Sequence, residues 1–213
     1  MLLFAPANAM VLIGMLDSPY VRRVAISMKR MGLAFEHTPL SVFRTFEQFR
    51  AINPVVKAPT LVCDDGTMLM DSTLILDHLE SLVAPDRRLM PQEPAQRREA
   101  LRLVGLALAA ADKTVQMVYE RTQRPAEKRF DPWFDRVQSQ ALASFAELES
   151  AAALSKPWLQ GERFNAADVM AAVAWRFGQY YQPGEFRAAA HPALVAFSAR
   201  AETLPEFAST PLD

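Results

Sequence analysis

The chain has 213 residues, 51% hydrophobic and 22% charged, with 23 Lys and Arg against 24 Asp and Glu for a formal net charge of −1. That length buries a substantial core as one large or two small domains, and the near-neutral balance argues against disorder and gives no basic field for a nucleic acid. The single cysteine, Cys63, excludes an internal disulfide and a Cys-x-x-Cys redox pair, which fits a reducing cytoplasm.

The three histidines, His37, His78 and His191, are far apart and have no Glu or Cys at ligand spacing, so no metal site is expected. No run approaches a membrane span, and no membrane partner is expected. Residues 1–9 end like a signal-peptidase site but lack a basic n-region, and Pro6 interrupts their short apolar stretch. They read as an irregular start, with Met10 a candidate native initiator.

Met10–Met15 is a short apolar run suited to a buried strand. Asp17, Ser18 and Pro19 form an N-cap followed by proline at the first helical position, where a missing N–H costs nothing. The helix that follows carries an inward stripe of Val21, Val24, Ala25 and Met28, leaves Arg22, Arg23, Lys29 and Arg30 mostly off it, and ends at Gly32. A second strand is expected at Ala34–Thr38. A short helix over Thr45–Ile52 follows, with Phe46 and Phe49 as its buried contacts, stopped by Asn53-Pro54. Thr60–Cys63 and Met68–Met70 read as strands around an Asp65-Gly66 hairpin turn, and the period then becomes helical, with Leu74, Ile75, His78 and Leu79 on one face. The order strand, helix, strand, helix, strand, strand, helix predicts a parallel pair extended by an antiparallel hairpin: a mixed sheet with helices packed on it.

Pro85 and Pro91 bracket a charged stretch that reads as a linker. Beyond it only helical patterns remain. One runs over Ala95–Glu120 and is broken by Pro125; another starts at Asp131-Pro132 and reaches about Leu154. A third is capped by Asn165, with Asp168 reaching back as a capping-box acid and Phe164 as a hydrophobic staple, and a last long helix opens at His191-Pro192. The fold class is therefore α/β plus all-α: a domain over 10–83 and a helical-bundle domain over 92–213.

Two positions in the first half bear on chemistry. Pro59 heads a strand, where a proline belongs at an edge or turn and is a candidate for a cis peptide. Asp71-Ser72 opens a helix, so free N–H groups and the positive dipole end surround a hydroxyl and a carboxylate. Such a helix start suits a ligand carboxylate at Ser72 and a ligand ammonium at Asp71; an ordinary capped hairpin is the alternative.

Four segments together resemble the cytosolic glutathione transferase family from about Met10 onward. Ser18-Pro19-Tyr20-Val21-Arg22-Arg23-Val24 resembles the first-helix motif of its serine-type classes. Asn53-Pro54-x-x-Lys57-Ala58-Pro59 resembles the loop before its cis-proline, Asp71-Ser72 its Glu/Asp-Ser pair, and Asn165-Ala-Ala-Asp168 the capping box of its helical domain. Tyr119–Arg129 is similar to an unclassified bacterial branch, with no chemical role attached.

The resemblance implies a thioredoxin-like, glutathione-binding domain, a four-stranded mixed sheet with helices, followed by the helical domain. It implies that the backbone of Ala58, beside Pro59, pairs with the cysteinyl part of glutathione, that Asp71 and Ser72 meet its γ-glutamyl end, and that Lys57, with Arg44 second, meets the glycyl carboxylate. Ser18 would donate to the thiolate, supported by the helix dipole and by Arg22, with Tyr20 the rival hydroxyl. The second-substrate pocket would draw on Leu108, Asp112, Gln116 and Tyr119, which share a helix face; a plain interhelical core is the alternative. Cys63 reads as core, Asp168 as a fold-stabilising cap and Arg23 as a surface or interdomain charge. The implied activity is transfer of glutathione, the co-substrate, to a small, mostly apolar electrophile, a detoxifying reaction of a cytoplasmic homodimer without metal. Glutathione-dependent peroxidase or isomerase chemistry, or a binding protein of this fold without turnover, are the alternatives.

Overall fold

The computed structural model describes residues 9–212, and the irregular start expected at the N-terminus lies outside them up to residue 8. The described residues form two compact units, one from residue 9 to Leu89 together with 205–212, the other Met90–Leu204.

In the first unit, strands β1 (Met10–Ile13), β2 (Phe35–Thr38), β3 (Thr60–Val62) and β4 (Met68–Met70) form one sheet in the order β2-β1-β3-β4. β1 is parallel to β2 and antiparallel to β3, and β3 is antiparallel to β4, so the expected mixed sheet is present. The crossover between the parallel pair is helix α1 (Pro19–Met31), capped at its end by Gly32 with φ 66°. The β3–β4 turn closes through Gly66 at φ 85°, whose N–H donates to Cys63. Helices α2 (Phe46–Ile52) and α3 (Ser72–Ser81) complete this part.

Several side chains sit differently from the pattern reading. Phe49 is fully buried while Phe46 is 42% exposed, because the seven-residue α2 turns only one aromatic into the core. Leu74 is 63% exposed although Ile75 and Leu79 beside it are buried. Arg22 and Arg23, off the apolar stripe of α1, are nonetheless buried, because α1 is covered on more than its sheet side. Part of that cover is α8 (Pro205–Ala208). Its Phe207 is buried and lies under the Arg22 guanidinium, and Arg22 Nε donates to the Thr210 carbonyl at 2.8 Å. Arg30 pairs with Glu206 at 3.0 Å and Lys29 Nζ donates to Ser209 Oγ at 2.8 Å. The residues from Pro205 onward, expected with the helical half over 92–213, therefore belong with the sheet: three cations of α1 find their acceptors there.

The second unit is all-α: α4 (Pro94–Thr122), α5 (Asp131–Ala153), α6 (Ala166–Tyr181) and α7 (Pro192–Glu202). α4 packs on α5 and α6, and α7 on α5 and α6. Its centre is an edge-to-face set of Phe145 with Trp175 and Phe186, at ring-centroid distances of 5.3 and 4.9 Å. The cap of α5 is Phe130, one residue before the expected Asp131, and Pro132 still falls in the first turn. No described helix is long and apolar enough to cross a membrane.

Candidate functional site

The β1–α1 turn begins at Gly14, φ 137°, a region that side-chain-bearing residues rarely enter. A Cβ there would come 2.6 Å from Val21 Cγ2 and 3.2 Å from Ala58 Cβ, so the absence of a side chain lets the start of α1 and the loop before β3 close on the turn. His37 Nε2 donates to the Gly14 carbonyl at 2.7 Å and fixes it from β2. Four residues on, Ser18 is the N-cap of α1, with its Oγ accepting from the Val21 N–H at 3.4 Å. That long bond uses an acceptor position of the hydroxyl and leaves its proton to be donated elsewhere. The first turn of α1 contains no acidic residue, and Asp17 stands directly before the cap. Tyr20 is half-buried in the same turn.

The loop from Asn53 to Pro59 is held from beneath. Asn53 is buried; its amide donates to Thr60 Oγ1 at 2.8 Å and its Oδ1 accepts from the Val55 N–H at 3.0 Å. Thr60 Oγ1 in turn donates to the Lys57 carbonyl at 2.8 Å. Above these bonds Val56 adopts φ 52°, Lys57 is exposed, and the Ala58–Pro59 peptide is cis, directly before β3. In the sequence Asn53 reads as a helix stop and as the start of the segment resembling the cis-proline loop; its role as the buried anchor of this loop depends on a hydroxyl seven residues away.

Asp71 is the N-cap of α3 at φ 71°, ψ 121°, a conformation disfavoured for a residue with a side chain, and its Oδ1 accepts from the Thr73 N–H at 2.9 Å. Ser72 follows as the first helical residue and is buried. Its Oγ accepts from Arg23 NH1 at 3.2 Å, and the same nitrogen lies 3.3 Å from Thr73 Oγ1. Arg23 is only 3% exposed. Burial pushes its guanidinium down to about 10, against the pull of Asp71 and Tyr20, so it is charged at neutral pH. The reading of Arg23 as a surface or interdomain charge is therefore corrected: it belongs to the interior between α1 and α3. One sign of this was in the sequence, since neither Arg22 nor Arg23 has an acidic residue three or four positions away on α1 to pair with. Arg22, expected to support Ser18, directs its Nε to the Thr210 carbonyl of the C-terminal segment.

On α4, Gln116 donates to Asp112 at 2.8 Å and Asp112 pairs with Lys113 at 3.0 Å; Asp112 and Tyr119 are exposed and Leu108 and Gln116 half-buried. Tyr119–Arg129 has a structural task. Glu120 is buried, accepts from the Phe130 N–H at 2.9 Å and pairs with Arg124 at 2.6 Å, while Arg129 donates to the Arg121 carbonyl at 2.6 Å. These bonds fasten the α4–α5 connection. Cys63 is buried and its thiol is pushed up by burial and by Asp65 and Asp64. Among the described residues no group of three or more His, Cys, Asp or Glu could hold a metal ion.

Residues 12–87 match the family model described as glutathione S-transferase, N-terminal domain, and residues 131–200 the one described as glutathione S-transferase, C-terminal domain. An uncharacterised GST-like protein of Escherichia coli, YibF, is 28% identical over 123 residues, spanning 57% of this chain and 60% of its own length. Maleylacetoacetate isomerase of Pseudomonas aeruginosa is 28% identical over 160 residues, 71% of this chain and 72% of that protein. Among solved structures, a glutathione S-transferase of Methylobacterium radiotolerans in complex with glutathione sulfonate superposes with a TM-score of 0.88 at 30% identity, covering 95% of this chain and 94% of that one. With both family domains matched in order and a relative of this identity aligned over nearly its full length, the chain belongs to the glutathione S-transferase family.

Proposed function

We propose that this protein binds glutathione on its first unit and activates the thiol for attack on a small, mostly apolar electrophile. The observation that carries the reading is the arrangement within one unit of a helix start capped by Ser18, the Lys57-Ala58-Pro59 loop held through Thr60 before β3, and a second helix start with Asp71 at positive φ followed by Ser72. In this reading Ser18 donates its hydroxyl proton to the thiolate, and the dipole of α1 adds to the stabilisation. The tripeptide lies extended against Ala58 and Pro59, with its backbone amide and carbonyl satisfied in strand fashion. Ser72 and the N–H groups of α3 take the γ-glutamyl carboxylate, Asp71 its ammonium, and Lys57 the glycyl carboxylate. The second substrate is taken by the helical unit, with Leu108, Asp112, Gln116 and Tyr119 as lining residues. We also propose a cytoplasmic homodimer; the exposed apolar side chains Met68, Met70 and Leu74 of β4 and α3 support the dimer.

Lowering a thiol pKa from about 8.5 by two units takes roughly 2.7 kcal/mol, within what a charge-assisted hydrogen bond and a helix terminus together supply. The likeness to a maleylacetoacetate isomerase favours a second reading, in which the same thiolate adds to and leaves an unsaturated substrate, giving isomerisation without net transfer. Retention on immobilised glutathione followed by assays with electrophiles, peroxides and cis-unsaturated diketo acids separates these. Release by free glutathione with turnover of one class is expected. Passage through the column without retention would overturn the proposal, and retention without turnover of any class would leave a binding protein.

A further inference from the structure

Ser72 carries one proton and two acceptor positions on its hydroxyl, whereas a guanidinium only donates. The 3.2 Å bond between Arg23 NH1 and Ser72 Oγ therefore has a fixed direction: Arg23 gives, Ser72 accepts. The Ser72 proton is thereby left for another acceptor, and Ser72 stands in the first turn of the ten-residue α3, where the backbone N–H groups also point at an anion. The same guanidinium nitrogen reaches Thr73 Oγ1 at 3.3 Å, so two adjacent hydroxyls of that turn are tied to one buried cation from α1. Asp71 acts on the Arg23 charge electrostatically and is itself engaged with the Thr73 N–H. The α3 start thus combines a helix terminus, an oriented hydroxyl and a buried positive charge, and an anionic ligand group answers all three.

We propose that Arg23 is a positioning residue for the γ-glutamyl α-carboxylate of glutathione, acting through Ser72 by holding its oxygen as acceptor so that its hydroxyl donates to the ligand. This rests on the glutathione reading of the site. Arg23 does not touch the thiol or the glycyl end, so its effect is confined to one group of the ligand. That confinement distinguishes it from a residue that merely supports the fold.

The test compares two ligands by calorimetry: glutathione, and 4-aminobutyryl-cysteinyl-glycine, which keeps the amine and lacks only that carboxylate. In the parent protein, loss of the carboxylate should weaken binding about ten- to a hundredfold. In Arg23→Met the ratio of the two dissociation constants should fall to about threefold or less, the analogue should bind as it binds the parent, and Ser72→Ala added to Arg23→Met should change little further. If Arg23→Met does not fold, Arg23→Lys carries the test: a single ammonium cannot reproduce the planar donor set, and the ratio should be reduced. A ratio in the folded variant equal to the parent's overturns the proposal and leaves the glutathione reading standing. So does an equal weakening of both ligands, which marks a structural role. A parent that binds both ligands alike, or neither, overturns the glutathione reading itself.

Discussion

Ser18 and Asp71 are both N-caps, yet they present different chemistry, because one is a neutral hydroxyl with a long bond to Val21 and the other a carboxylate held at 2.9 Å by Thr73. Ser18→Ala removes the proton donor while leaving Pro19 and the α1 start in place. Glutathione affinity should change by less than about 1 kcal/mol, and turnover at neutral pH should fall by about ten- to a hundredfold as the thiol pKa returns toward about 8.5. The deficit should shrink as pH rises, because hydroxide then generates the thiolate. A thiolate absorbance titration of the two glutathione complexes reads this directly; identical titrations would leave Ser18 as a cap alone. Asp71→Asn keeps an oxygen for the Thr73 N–H and a residue type that tolerates positive φ, but removes the charge. Its stability should stay within about 0.5 kcal/mol of the parent, while glutathione binding weakens by about 1.5–3 kcal/mol, measured by calorimetry. Equal dissociation constants would show that the ligand ammonium is not held here.

Element boundaries were legible wherever a cap or turn has its own chemistry. Ser18-Pro19, Asp65-Gly66 and Asn165 with Asp168 mark the α1 start, the β3–β4 turn and the α6 start, each specified by a few adjacent residues. The burial of Arg22 and Arg23 was not legible, because their partners lie 188 and 49 residues away and periodicity describes only one face of a helix. The capping box of α6 is the clearest local case: Asn165 Oδ1 accepts from the Ala167 N–H at 2.8 Å and Asp168 Oδ2 from the Asn165 N–H at 2.8 Å. Asn165→Ala should lower stability in urea by about 1 kcal/mol without altering glutathione affinity, and an equal effect on both would show coupling to the site. Asp168 also accepts from the Leu159 N–H at 2.8 Å, but it is fully buried, and burial outweighs these bonds to push its carboxyl up from 3.8 to about 6. The folded chain then holds this proton more tightly than the unfolded one, so the contribution of Asp168 to stability is largest below about pH 4 and is lost as pH rises to about 6, by an amount on the order of 3 kcal/mol. A carboxyl-carbon NMR titration should find one midpoint near pH 6; its absence would mean that the N–H donors of Leu159 and Asn165 prevail.

At the scale of the whole chain, the α/β-then-α order was legible because strand alternation stops at the Pro85–Pro91 stretch and never returns. The return of the residues after Pro205 to the sheet unit was not, since nothing in that short segment announces which surface Phe207 covers. Exposure within the first unit carries the remaining prediction. β4 is an edge strand of the sheet, and its Met68 and Met70 are 43% and 38% exposed, next in sequence to α3 with Leu74 at 63%. Apolar side chains grouped on an edge strand and the helix after it are the kind of surface a second copy covers. We therefore expect a homodimer: light scattering at micromolar concentration should give twice the 23.8 kDa of the chain. Leu74→Glu buries a charge in the expected contact and should shift the protein toward monomer at the same concentration, with the circular dichroism of the folded chain retained. A parent that scatters as a single 23.8 kDa particle would count against the dimer. A dimer indifferent to Leu74→Glu would place the contact on another face, leaving Met68, Met70 and Leu74 as surface that some other partner, or none, covers.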